Sequence, residues 1–185
     1  MRAKHDLKYA CAKMLDGVVE GQYMDGMVIT RDTRYEVGEG ATLLASCEPS
    51  TLYCLGKNYT KTLDQMDYER PSVSDFFIKP LVPVHPPRRS VPVPHFSNKG
   101  TYADELAAVI DREASRLDLA DIPEIIREYT IMNDLNVLDQ ESRTARKAFD
   151  ESAPLGPRIE TDLDPTVLAR YVDISGERRQ EAKPS

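Results

Sequence analysis

Gly100-Thr101-Tyr102-Ala103-Asp104-Glu105-Leu106-Ala107-Ala108-Val109-Ile110 and, after a spacer, Asn133-Asp134-Leu135-Asn136-Val137-Leu138-Asp139-Gln140 decide how this 185-residue chain is read. Each segment sets a carboxylate beside an apolar run, Glu105 before Leu106 and Asp134 before Leu135. A carboxylate next to a core is costly unless it is paired or bound to a metal. Two that face one cavity make an oxygen-rich site suited to Mg²⁺ or Ca²⁺. Local pattern alone predicts something plainer, a solvated helix over Tyr102 to Leu117 whose acids face water.

Composition bounds the rest. Hydrophobic residues at 41% and charged residues at 30% describe a soluble globular chain. A formal net charge of −7, with no basic patch, argues against nucleic acid or an anionic membrane as partner. Cys11, Cys47 and Cys54 are odd in number and lack C-x-x-C spacing. They read as reduced core thiols of a cytoplasmic protein, not as a disulfide framework or zinc site. The N-terminus scatters charges and has no long apolar run, so neither a signal peptide nor a membrane span is expected.

Residues 7 to 47 read as a small β-rich unit. Asp16-Gly17, Asp25-Gly26 and Gly38-Glu39-Gly40 are turn signals between the short runs Val18-Val19-Glu20, Met27-Val28-Ile29 and Tyr35-Glu36-Val37. Leu52-Tyr53-Cys54-Leu55-Gly56 is expected to be a buried strand. Residues 60 to 75 are expected to form a short helix or a loop. Phe76-Phe77-Ile78-Lys79-Pro80 ends in a cation that either snorkels to water, the common case, or points at an anionic ligand. The prolines from Pro80 to Pro94 favour extended edge structure, and His85 and His95 there read as surface residues more than metal ligands. Asp121 to Tyr129 is the clearest helix pattern, with Asp121 as N-cap and Glu124 as its capping-box partner. Thr130-Ile131-Met132 reads as a strand delivering Asn133-Asp134. Ala153 to Pro157 reads as a rigid turn, and Tyr171 to Ile174 as a strand turning at Ser175-Gly176.

Six segments in order resemble the fumarylacetoacetate hydrolase family. They are Leu52 to Tyr59, Phe77-Ile78-Lys79-Pro80, Tyr102 to Ile110, Tyr129 to Asp134, Ala145 to Asp150 with Pro154-Leu155-Gly156-Pro157, and Ser175 to Gln180. The resemblance implies an α+β, β-rich fold. This is the family's mixed β-roll over residues 51–185, preceded by a small N-terminal β-domain over 1–50. It makes Leu106 to Ile110 a strand, against the local helix pattern; tertiary context overrides short-range propensity. It also implies a cytoplasmic homodimer acting on a 2-oxo acid of the acylpyruvate type by hydrolysis, decarboxylation or isomerisation. Mg²⁺, or Mn²⁺ or Ca²⁺, is the implied cofactor. By the same resemblance Glu105 and Asp134 are metal ligands, Lys79, Lys147 and Asp139 catalytic, and Tyr59, Lys79 and Gln140 substrate-binding.

The chain departs from the family pattern. The first glutamate of the family's Glu-x-Glu falls on Ala103, which leaves two carboxylates instead of three. Asp104 faces the other side of a strand unless a bulge intervenes. The family's His and Glu base pair falls on Thr62 and Gln65, and its arginine before Asp139 falls on Leu138. The family's later strands and Thr-Gly-Thr-Pro turn have no counterpart before Ser185. Two functions follow: a family enzyme with a weakened site, or a non-catalytic remnant that serves an intact paralogue as binding or structural partner.

Overall fold

The computed structural model describes residues 8–80, 86–87, 89–161 and 163–182. The strands are β1 Lys8–Met14, β2 Gly17–Met24, β3 Met27–Ile29, β4 Arg34–Glu36, β5 Thr42–Leu43, β6 Leu52–Gly56 and β7 Asp75–Lys79. They continue as β8 Gly100–Thr101, β9 Asp104–Ile110, β10 Ile126–Asn133, β11 Asn136–Val137, β12 Ile159–Glu160, β13 Arg170–Ile174 and β14 Glu177–Ala182. Three short helices interrupt them: α1 Thr60–Met66, α2 Ile122–Ile125 and α3 Arg143–Lys147. The fold is α+β and rich in strand, as expected.

One eight-stranded sheet runs in the order β4-β3-β2-β1-β12-β10-β9, with β5 also paired to β1. Residues on both sides of position 50 therefore share a sheet, because β1 pairs antiparallel with β12. The turn signals at Asp16-Gly17 and Asp25-Gly26 separate β1, β2 and β3 as read from the sequence. Ala10, Ala12, Val28, Ala41 and Leu43 bury one core cluster there. A second cluster, Met132, Ala153 and Leu155, takes in Ala45, Cys47, Leu52, Cys54 and Ala107.

The local helix pattern over 102–117 is overturned: β9 is a strand that pairs with β10 from Asp104↔Asn133 to Ile110↔Ile126. Alanine and glutamate favour helix in isolation, but β9 is an edge strand whose ladder to β10, with β-branched Thr130 and Ile131 opposite Ala107 and Leu106, outweighs that preference. The helix over 121–129 is likewise cut to α2 alone, and Asp121 makes no side-chain cap. From Ile126 the burial alternates, with Glu128, Thr130 and Met132 inward, which is strand periodicity.

Strand β6 is not buried as its apolar run predicts. Among the described residues it pairs only with β7, Tyr53↔Ile78 and Leu55↔Phe76, and these four side chains lie exposed on one face. A short two-stranded ribbon buries one face at most. Its inner face carries Cys54 and Lys79. The turn at residues 152–156 is tied to β10 by Asn133 N to Pro154 O at 2.9 Å and Gly156 N to Ile131 O at 2.8 Å. His95 is exposed, as read, with its ring edge-on to Phe96; His85 lies outside the described residues.

Candidate active site

β9 and β10 place the two acids by register. Ala103 and Asp134 exchange both backbone hydrogen bonds, at 3.1 and 2.8 Å, so they stand directly opposite. Glu105 is paired with Met132 two residues along. Alternation then puts Ala103, Glu105, Met132 and Asp134 on one face, with Asp104 and Asn133 on the other.

Asp134 is buried and gathers cations. Lys79 Nζ, at the end of β7, donates to Asp134 Oδ1 at 2.7 Å and to the Leu135 carbonyl at 3.0 Å. Lys79 is 1% exposed, so the snorkelling alternative is excluded. Lys147 donates to Asp134 Oδ2. It reaches there because Ser142 caps α3, accepting from Ala145 N at 3.1 Å, and because its ammonium rests 4.4 Å from the centroid of the Phe77 ring. Arg143, on the first turn of α3, makes a bidentate pair with Asp75 at 2.5 and 2.9 Å, which ties the helix to β7.

Glu105 lies next to this triad. Burial pushes its carboxyl above the usual range, opposed by the Tyr59 hydroxyl that donates to it and by nearby Arg170. Burial and the Glu105 charge hold the Tyr59 phenol up at about 12. Burial pulls the Lys79 ammonium down, against the attraction of Asp134. Cys54 sits among these charges on β6, and burial together with Asp134 pushes its thiol up to about 11. Cys11 is raised to about 11 by burial and Glu20, and all three cysteines are free and half-buried.

At pH 8 a thiol with such a pKa is thiolate in only about one part in 10³. Alkylation of Cys54 and Cys11 by iodoacetamide at pH 8 is therefore expected to run roughly a hundredfold slower than for an exposed cysteine. Peptide mapping over time measures this, and rapid labelling of native Cys54 would refute the burial argument.

The structure thus brings together Tyr59, Lys79, Glu105, Asp134 and Lys147. Asp139 and Gln140 bond to the loop of residues 96–98. Asp139 accepts from Ser97 Oγ at 2.6 Å and Asn98 N at 3.2 Å, which hold its carboxyl below the usual range, and Gln140 donates to the Phe96 carbonyl at 3.4 Å. Both fasten the loop that follows the proline-rich stretch. Sequence reasoning missed Arg170 and Cys54. Cys54 reads from sequence only as a core thiol in its apolar run, and the signal for Arg170 is the lone cation in Ala169-Arg170-Tyr171-Val172.

The oxygens available to a hard divalent ion are those of Glu105 and Asp134, and among the described residues no three His, Cys, Asp or Glu side chains cluster to hold one. The donor type fits Mg²⁺, which keeps several of its waters. Both Asp134 oxygens already accept from lysines, so an ion there must displace ammonium groups.

The strand-rich α+β fold thus brings Lys79 and Lys147 to Asp134, with Glu105 on the same face of the β9-β10 pair. Residues 51–185 match the family model described as Fumarylacetoacetate (FAA) hydrolase C-terminal, so the chain belongs to the fumarylacetoacetate hydrolase family. It is 30% identical over 139 residues to an uncharacterised protein of Methanocaldococcus jannaschii, covering 73% of this chain and 59% of that protein. The chain thus spans less than two thirds of that relative's length. It is 27% identical over 143 residues to the oxaloacetate tautomerase YcgM of Escherichia coli, covering 71% of this chain and 65% of that enzyme. It also superimposes on the solved 5-carboxymethyl-2-hydroxymuconate delta-isomerase of Mycobacterium smegmatis with a TM-score of 0.81 at 26% identity, covering 96% of this chain and 76% of that one. Among the described residues no helix is long and apolar enough to cross a membrane.

Proposed function

We propose that the cluster around Asp134 binds a 2-oxo acid and moves a proton between its keto and enol forms, and that hydrolysis of a carbon–carbon bond is slow. The observation that carries this reading is that the ammonium groups of Lys79 and Lys147 meet on buried Asp134 beside Glu105, while Thr62 and Gln65 stand where the family has its water-activating pair. Enolisation places charge on an oxygen, and ammonium groups in a dry site stabilise that charge. Lys79, whose ammonium is destabilised by burial, is suited to giving and taking a proton. Hydrolysis needs a base to activate water, and exposed Thr62 and Gln65 on α1 do not titrate near neutral pH.

In this reading Tyr59 and Gln140 contact substrate, Lys147 shares the charge with Lys79, and Asp139 supports the site from the loop. Glu105 and Asp134 are the ligands of Mg²⁺, Mn²⁺ or Ca²⁺, which when bound supplies Lewis-acid stabilisation of an oxyanion. The setting is a cytoplasmic homodimer acting on acylpyruvate-type acids.

The test follows oxaloacetate keto–enol exchange by NMR with Mg²⁺. The wild type is expected to accelerate it and Lys79→Met to lose about 10²–10⁴-fold, the usual worth of an acid–base group. Oxalate binding without any acceleration would favour the non-catalytic remnant instead.

Ala103 stands opposite Asp134, so Ala103→Glu restores a third carboxylate on the same face. It is expected to raise Mg²⁺ affinity clearly, read by calorimetry. Acylpyruvate hydrolysis should rise only modestly unless Thr62→His and Gln65→Glu are added, because base and metal act on one transition state. Vigorous hydrolysis by the wild type would overturn this assignment.

A further inference from the structure

Arg170 brings a positive charge to the edge of β9 where that strand presents its two acids. It projects from β13, which packs beside β9, and its side chain is only 9% exposed. Its Nη1 lies 3.7 Å from Asp104 Oδ2 and 3.8 Å from Glu105 Oε2, and donates to the Asp104 carbonyl. The guanidinium lies 4.0 Å from the centroid of the Tyr59 ring, whose hydroxyl donates to Glu105. Its Nε is buried and has no hydrogen-bond partner among the described residues. A guanidinium retained as a structural tie saturates its donors in fork-like bonds. Here both carboxylates stand beyond hydrogen-bond length and one donor is left over, so the group acts on Glu105 mainly through its charge.

We infer that Arg170 is the resident counter-ion of Glu105, and that it holds the site's affinity for divalent cations down. The inference rests on the reading of Glu105 and Asp134 as metal ligands. The two lysines are committed to Asp134, so Arg170 is the cation beside the other ligand. An incoming ion on Glu105 must either displace the guanidinium or bind within a few ångströms of it, and at that range like charges repel strongly in a partly buried site. Tyr59 supplies the alternative resting place, because its ring face attracts a guanidinium whether or not Glu105 is occupied.

The experiment titrates Mn²⁺ alone, by calorimetry, into the wild type, Arg170→Met and Arg170→Lys, with folding checked by circular dichroism. Arg170→Met is expected to bind at least about tenfold more tightly than the wild type, while Arg170→Lys, which keeps the charge, stays within about threefold of it. A second measurement needs no variant. In the wild type, saturating Mg²⁺ is expected to shift the ¹⁵N signal of Arg170 Nε as the guanidinium leaves Glu105. Equal Mn²⁺ affinity of wild type and Arg170→Met, with binding lost in Glu105→Gln, would overturn the role of Arg170 and leave the ligand assignment standing. No Mn²⁺ binding by any of these proteins or by Ala103→Glu would overturn both. An Nε signal indifferent to Mg²⁺ in a protein that binds the ion would overturn the inference if Arg170→Met does not fold.

Discussion

Asp134→Ala is expected to destabilise the protein by about 3–5 kcal/mol, the cost of leaving a buried charge without its partner. Lys79 has no exposed side-chain surface, and Lys147 little; both donate to the carboxylate that the substitution removes. In a domain of this size the loss corresponds to a fall in Tm of roughly 6–20 °C, read by thermal melting at neutral pH. The sign of its pH dependence follows from linkage. Without Asp134 the Lys79 ammonium is still less stable in the folded state than in the unfolded chain. Between its lowered pKa and the ordinary lysine value the unfolded state binds more protons, and stability rises with pH. The gap between variant and wild type is therefore expected to narrow in alkali. Replacing both partners, by Lys79→Met with Asp134→Leu, is expected to cost less than Asp134→Ala alone, because no unpaired charge remains. A loss under 1 kcal/mol for Asp134→Ala would mean that water reaches Lys79.

Gly21→Ala is expected to cost about 3 kcal/mol, the upper part of the range for overpacking. Gly21 lies on β2, and a Cβ there would stand 2.4 Å from the Ile29 carbonyl oxygen and 2.8 Å from its carbon. Those are backbone atoms of β3, so relief requires parting the two strands, which carry the pairs Gln22↔Ile29 and Tyr23↔Val28. Val28 is fully buried in the first core cluster, and the strain is therefore transmitted to packing. Urea unfolding of Gly21→Ala against Gly17→Ala separates crowding from backbone freedom, because Gly17 has nothing within 4 Å but a φ of +146°. Unchanged stability of Gly21→Ala would show that β2 and β3 are not held this closely.

The sequence by itself determined the strand-rich class and the turns that cut β1, β2 and β3. Asp16-Gly17 and Asp25-Gly26, each set between short apolar runs, favour tight turns. It also singled out Lys79, Glu105, Asp134 and Lys147 as candidates from ordered motifs, and the fold brings these four together; the same motifs showed Ala103, Thr62 and Gln65 as departures. Local pattern made both Tyr102 to Ile110 and Ile126 to Tyr129 helical; the family resemblance already made Leu106 to Ile110 a strand, but only the tertiary structure decided that Ile126 to Tyr129 is extended, because the partner that completes its backbone lies many residues away and local propensity cannot see it. It decided that Lys79 is buried and not snorkelling, because burial of an ammonium depends on finding Asp134 and the Leu135 carbonyl. It decided that Asp139 and Gln140 fasten a loop. It alone placed Arg170, at the start of the β13–β14 hairpin, against Glu105 and Tyr59: a charge acts through distance, and distance across a fold is fixed only when the strands have paired.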